Sequence, residues 1–251
     1  MIESEFIRSE GSTIQILKMN RPEKLNAVNL EFLIRLREEI ELLSKNREVE
    51  IVILKSEIAK AFCVGIDVSF VRALSNVDSG EFFELLADTL EKWMELPQLT
   101  IAAIEGYAFG FGADLGVACD IRIASSTVQM KFPGPKFGVI LGTRHLINEI
   151  GYSKAKRLCL LGETLNAQDA KSIGLIHIIS SSGNVQETAI NNAEGILKIP
   201  DFTRSTIINL GKNTTDNNLV NTSPQELAYQ SIVNGDFKIR FKGFLNDVAI
   251  K

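Results

Sequence analysis

The sequence predicts an α/β core followed by a helical C-terminal region, and two observations carry that prediction. Short continuous apolar runs at residues 51–54, 101–104 and 121–124 have the length of buried strands, not of helices. Helical periodicities separate these runs and take over almost entirely after Gly142, so the strands are concentrated in the first two thirds of the chain.

In chain order, residues 13–19 alternate apolar and polar side chains like a half-exposed strand. A turn around Arg21, Pro22 and Glu23 follows, and Asn29 then caps a helix that carries Leu33, Leu36, Ile40 and Leu43 on one face. Residues 81–96 are amphipathic, with Phe83, Leu86, Leu90 and Trp93 at helical spacing. Past Gly142, helices are expected at 143–150, 153–161, 167–172 and 185–197, with a single strand at 175–179. The polar, asparagine-rich stretch 212–223 reads as an exposed connection. Two helices close the chain, the last with Phe237, Phe241, Phe244 and Val248 on one face. The expected division is a core over 1–198 and a helical region over 199–251.

Composition narrows the function. The formal net charge of -4 lends no support to nucleic-acid binding, which needs a clustered basic surface. No segment approaches the ~18 apolar residues of a membrane span. The acidic, mixed N-terminus resembles neither a signal nor a transit peptide, and Cys63, Cys119 and Cys159 lack metal-ligand spacing. The expectation is a cytoplasmic protein with three reduced core thiols and no bound metal.

The most informative segment is 101–120, IAAIEGYAFGFGADLGVACD. It leads from an apolar strand through Gly106, Gly110 and Gly112 into a helix start that carries Asp114. Residues 61–67 (AFCVGID) repeat the order of strand, glycine and helix. Three readings compete. Gly110, Gly112 and Gly116 miss the spacing of a dinucleotide fingerprint and lie mid-chain. A structural reading makes the glycines a tight turn and Asp114 a first-turn acid favoured by the helix dipole. The third reading is an oxyanion site, in which backbone N–H groups stabilise developing negative charge beside a carboxyl group.

Four ordered motifs extend the argument: RPEKLNAV (21–28), AFCVGID, EGYAFGFGADLGVACDIRIAS (105–125) and LNAQDAKSIGLI (165–176). Together they resemble the enoyl-CoA hydratase/isomerase (crotonase) superfamily over nearly the whole chain. The resemblance implies a spiral of ββα units with a helical C-terminal region, and subunits assembled as homotrimers or hexamers. It also implies an acyl-CoA thioester of fatty acid metabolism as substrate, with no separate cofactor. Ile66 and Phe111 match the residues whose backbone N–H groups form the oxyanion hole, although glycine is common at the second of these positions. Asp114 matches one of the two catalytic carboxylates, where glutamate is usual. Lys24, Leu25, Ala27, Val64, Gly65, Asp67 and Gly110 match segments that line the CoA and acyl site. Phe244 resembles the part that closes it, though Asp247 stands where a basic residue is common.

One departure affects the chemistry. Where the family carries its second acid, Lys136 follows Pro135, the glycine-rich loop is shorter, and no carboxylate occurs between Asp120 and Glu149. Hydration divides proton delivery and water activation between two carboxylates, whereas moving a proton between two carbons needs only one. Asp114 is therefore expected to be the sole acid/base, and efficient hydration is disfavoured. Alternatives on the same fold are decarboxylation, thioester hydrolysis and a catalytically silent acyl-CoA binder. Lys136 either meets an anionic substrate group or is simply solvated. His145 is expected to pack or lie at the surface, and His177 to sit in a strand. Glu84, Asp88 and Glu91 are expected on the solvated side of their helix. Phe70, Leu74, Phe83 and Leu86 fit an acyl pocket or a plain core equally well.

Overall fold

The chain opens with a hairpin in which β1 (Ile2–Ser9) and β2 (Ser12–Met19) pair antiparallel. This is a computed structural model, and it describes residues 1–9, 11–210, 223–234, 239–240 and 242. Three further strands add to β2 in parallel, β3 (Val49–Ser56), β5 (Leu99–Ile104) and β7 (Ile121–Ala124), and the short β10 (Ile178–Ile179) completes a sheet of order β1-β2-β3-β5-β7-β10. A second sheet holds β4 (Ala61–Cys63), β6 (Tyr107–Phe109), β8 (Gln129–Lys131) and β9 (Thr164–Asn166), parallel except for the last.

The two sheets advance together. β3 enters the large sheet, β4 the small one, and then come α2 (Val68–Val71) and α3 (Asn76–Met94). β5 and β6 repeat the step before α4 (Phe111–Val117), and β7 and β8 repeat it before α5 (Thr143–Ile150) and α6 (Tyr152–Leu161). The result is a spiral of ββα turns. In the first two turns a short strand of the small sheet passes within a few residues into a helix start, the placement that builds the site below. α7 (Ala167–Ser172) and α8 (Val185–Leu197) follow.

α1 (Leu30–Lys45) shows what fixes a helix here. Asn29 accepts a hydrogen bond from the Phe32 N–H, and Phe32, Leu33, Leu36, Ile40 and Leu43 are buried. Burying one such side chain contributes ~2 kcal/mol against ~1 kcal/mol for the cap. The apolar face therefore holds the helix, and the cap sets where it begins.

The chain divides into two compact units, Met1–Asn192 and Ala193–Lys251. In the second, α9 (Asp201–Leu210) and α10 (Pro224–Asn234) pack together, and the buried Arg204 donates to the carbonyls of Leu197 and Ile199.

Several elements differ from the sequence reading. α3 begins at Asn76 rather than at residue 81, because Ser75 and Asp78 form a reciprocal capping box. Its buried face uses Phe82 with Leu86, Leu90 and Trp93, and Phe83 turns elsewhere. The strand expected over 175–179 shrinks to two residues, and β1, whose residues are mostly exposed, went unread. The closing helix assigned to Phe237, Phe241, Phe244 and Val248 lies outside the described residues.

Candidate active site

Two loops meet glycine to glycine. One links β4 to α2 through Val64, Gly65, Ile66 and Asp67; the other is Gly110, between β6 and α4. A Cβ on Gly110 would lie 3.8 Å from Gly65 Cα. A Cβ on Gly65 would lie 3.0 Å from the Phe109 carbonyl oxygen and 3.7 Å from the Phe111 nitrogen. Both glycines also have positive φ, +100° and +52°, which side chains disfavour. The tight approach brings the backbones of Ile66 and Phe111 to the same place.

The N–H groups of both residues are left over by the local geometry. In the parallel bridge between Val28 and Ile66, Val28 donates to the Gly65 carbonyl and accepts from the Asp67 N–H, so the Ile66 N–H is not used. Phe111 is the first residue of α4, where N–H groups have no partner within the helix; the first helical bond here runs from the Asp114 N–H to the Gly110 carbonyl. Among the described residues neither N–H donates to another protein group.

These loops border a cavity of about 470 Å³. Its walls are largely apolar and include Val71, Phe83, Phe111, Phe132, Phe137 and Leu141. Asp114 lines it one helical turn beyond Phe111, hence on the same face of α4. The residue is only 8% exposed. Burial pushes its pKa up to about 7, and the Gly142 N–H offsets part of that rise. A Cβ on Gly142 would come well inside 3.0 Å of Asp114 Oδ1, so α5 reaches the carboxyl only because position 142 lacks a side chain. Thr143 and Cys159 complete this wall, and burial likewise raises the Cys159 thiol. Asp114 is the one carboxylate among the lining residues described.

The arrangement suits a particular task. Two N–H groups without a protein partner beside a largely apolar cavity are placed where they could donate to a developing oxyanion. A carboxyl with pKa near neutrality exchanges protons in either direction at low cost. No cluster of metal-ligating side chains occurs among the described residues.

Of the residues singled out in the sequence, Val64, Gly65, Ile66, Gly110, Phe111 and Asp114 converge on the cavity. Lys24, Leu25 and Ala27 are not among the lining residues; their segment pairs with the 64–67 loop, where the Val64 N–H donates to the Leu25 carbonyl. Asp67 caps α2. Burial alone would raise its carboxyl, but hydrogen bonds from Ser69, Arg21 and the Phe70 N–H, with the charge of Lys24, hold it at about 2. Lys136 does not enter the cavity; its stem lies across Gly162 at the end of α6. His145 is buried, with Nε2 3.2 Å from Glu91 Oε1, and is not among the lining residues. Asp88 pairs with Arg37 and Lys92, and Glu84 is exposed. Phe244 lies outside the described residues.

Two supporting residues went unread in the sequence. Asn26, fully buried with φ +58°, donates to the Phe62 carbonyl and to Ser56, and accepts from the Arg21 N–H, so it locks the 21–28 segment onto the end of β4. Arg122, also fully buried, donates to the carbonyls of Leu175, Val117 and Cys119 and pairs with Glu149, tying the end of α4 to α5.

The same chain path occurs in solved crotonase-fold proteins. An enoyl-CoA hydratase from Bacillus anthracis superposes with a TM-score of 0.84 at 24% identity, covering 98% of this chain and 96% of that one. An enoyl-CoA hydratase from Mycobacterium smegmatis gives a TM-score of 0.79 at 23% identity over 91% of each chain. The fold class is thus the crotonase spiral. The Enoyl-CoA hydratase/isomerase family model matches residues 9–245, and the chain belongs to that family. Crotonyl-CoA hydratase of Syntrophomonas wolfei is 30% identical over 182 residues, 70% of this chain and 69% of the relative. Mouse mitochondrial methylglutaconyl-CoA hydratase is 33% identical over 180 residues, 70% of this chain but 57% of the relative, so the match spans little more than half of that protein.

Proposed function

We propose that the chain binds an acyl-CoA thioester with its carbonyl oxygen between the N–H groups of Ile66 and Phe111, and that Asp114 moves a proton at the carbon next to that carbonyl. The observation that carries this reading is the buried Asp114 carboxyl, the one carboxyl among the described lining residues, one helical turn from the Phe111 N–H and on the same cavity as Ile66. As a carboxylate it removes a proton from C2 of a 3-enoyl thioester. The electron pair moves onto the thioester oxygen as an enolate held by the two N–H groups, and the proton returns at C4 to leave the 2-enoyl product. One group serves both transfers. Each N–H donor is worth ~3 kcal/mol of barrier in comparable sites.

Hydration is the second reading, favoured by the hydratase names of the relatives. It requires Asp114 and water to do what two carboxylates share. Incubation with matched 2-enoyl-, 3-enoyl-, malonyl- and saturated acyl-CoA esters separates the readings by product. Interconversion of 2- and 3-enoyl esters faster than formation of a 3-hydroxy ester supports isomerisation. Dominant 3-hydroxyacyl product supports hydration. Binding without any product supports a silent acyl-CoA binder, and loss of CO₂ or release of free CoA supports the decarboxylase or hydrolase alternatives. The expected assembly as a homotrimer or hexamer is part of the same proposal, and the mass of the particle in solution tests it.

A further inference from the structure

One cation stands on the cavity wall among the described residues, and it is not Lys136. Val68, Val71 and Arg72 stand at i, i+3 and i+4 along α2 and its C-cap, and all three line the cavity. Arg72 keeps helical backbone angles (φ −60°, ψ −25°), so the helical spacing extends to it and places it on the same face as the two valines. It is solvent-exposed. Among the described residues its side chain has no ion pair or hydrogen bond. The acids nearest in the chain are already engaged: Asp67 caps α2 and pairs with Arg21, and Asp78 closes the capping box with Ser75. The lining thus carries two charged side chains of opposite sign, the buried Asp114 and the exposed Arg72, in walls that are otherwise largely apolar and include Val71 and Phe83.

We infer that Arg72 selects acyl groups that end in a carboxylate, so that the substrate class is the thioester of a short dicarboxylic acid. This rests on the acyl-thioester reading above. With the thioester carbonyl at the Ile66 and Phe111 N–H groups, the acyl chain runs along the apolar wall and its far end meets α2. A guanidinium presents paired donors that match a carboxylate in geometry and charge. A neutral chain leaves Arg72 in water at little cost, so the outcome is a preference rather than an absolute requirement. The phosphates of CoA offer the same anionic chemistry from the other end of the substrate, and thioesters of pantetheine, which lack them, separate the two sources.

The test is calorimetric binding of glutaryl and pentanoyl thioesters, each as the CoA and the pantetheine ester, to the full-length wild type, Arg72→Gln and Arg72→Lys. The two acyl groups match in length and differ in the terminal carboxylate. The expected result is glutaryl binding about tenfold tighter than pentanoyl in both ester series, as a charged hydrogen-bonded pair supplies. That ratio is expected to fall to near one in Arg72→Gln, to survive in part in Arg72→Lys, and to shrink with added salt. Equal binding of the two acyl groups to the wild type overturns the inference, as does a weakening in Arg72→Gln confined to the CoA esters, which assigns Arg72 to a phosphate. Equal weakening of all four esters also overturns it, as a structural effect. If no ester of either series binds the wild type, the acyl-thioester reading itself fails, and this inference with it.

Discussion

Gly142 and Asp114 occupy adjoining space with no room for a side chain between them: a Cβ at position 142 would fall inside 3.0 Å of Asp114 Oδ1, Cγ and Cβ. The backbone at Gly142 is ordinary (φ −82°), so alanine meets no backbone strain there, but Asp114 Cβ lies too close as well as its carboxyl, so the α5 entrance and α4 must shift along with the carboxyl. Gly142→Ala is therefore expected to fold with a melting temperature several degrees below wild type, the cost of overpacking at ~1–3 kcal/mol. Displacing a catalytic group by ~1 Å costs on the order of 10²-fold in rate. Steady-state kinetics should show that loss in kcat, with KM little changed.

Burial of Asp114 also sets a pH dependence of stability. Its folded pKa of about 7 stands above the ordinary 3.8, so the folded chain keeps a proton that the unfolded chain releases. Nothing is lost below pH ~4. Stability then falls as the pH rises from the unfolded value through the folded one, by up to ~4 kcal/mol, and stays lower above it. Asp114→Asn removes this cost. Thermal melts should show the variant level with wild type at pH 4 and several degrees more stable at pH 8. Identical melting curves at both pH values would contradict the burial argument.

The same group shapes the rate. If the carboxylate form abstracts the proton, kcat/KM climbs about tenfold per pH unit below pH 7 and levels off above it. A profile flat from pH 5 to 8 assigns the proton transfer to some other group.

Arg122 holds the end of α4 from below. It is fully buried and satisfies the carbonyls of Val117, Cys119 and Leu175 while pairing with the half-exposed Glu149. Arg122→Leu leaves three buried carbonyls without that donor and is expected to cost ~3–5 kcal/mol. Glu149→Gln keeps a hydrogen-bonding partner near the surface and should cost ~1 kcal/mol or less. Urea denaturation of the two variants checks the order, and an equal loss in both would argue against a carbonyl-anchoring role.

What was legible in the sequence follows from how local each signal is. The apolar run Ile121–Ala124 was read with its true boundaries and the helix capped by Asn29 with its true start and buried face, because strand length, a cap and an apolar stripe are properties of a few adjacent residues. The start of α3 was not, since its capping box uses an aspartate and its first turn is polar. The ββα alternation came from the family resemblance, because three-residue strands such as β4, β6 and β8 are too short to carry a period. At the site, glycines and an acid marked Gly65, Gly110 and Asp114, which the structure brings to one cavity. The direction of a side chain is set by tertiary packing, so neither the turn of Lys136 across Gly162 nor the place of Arg72 on the cavity wall could be read from the chain. The contact between Gly142 and Asp114 joins residues of α4 and the α5 entrance and was equally invisible.

The central claim is that Asp114, beside the Ile66 and Phe111 N–H groups, moves a proton at the carbon next to a thioester carbonyl. Exchange of the C2 protons of butyryl-CoA into D₂O, followed by proton NMR, tests it without reference to the physiological acyl group. Wild type should wash out the C2 signal far faster than buffer, and Asp114→Asn should bind butyryl-CoA with a similar Kd yet exchange at least ~10²-fold more slowly. Undiminished exchange by Asp114→Asn, or no exchange by a wild type that binds the ester, would contradict the account.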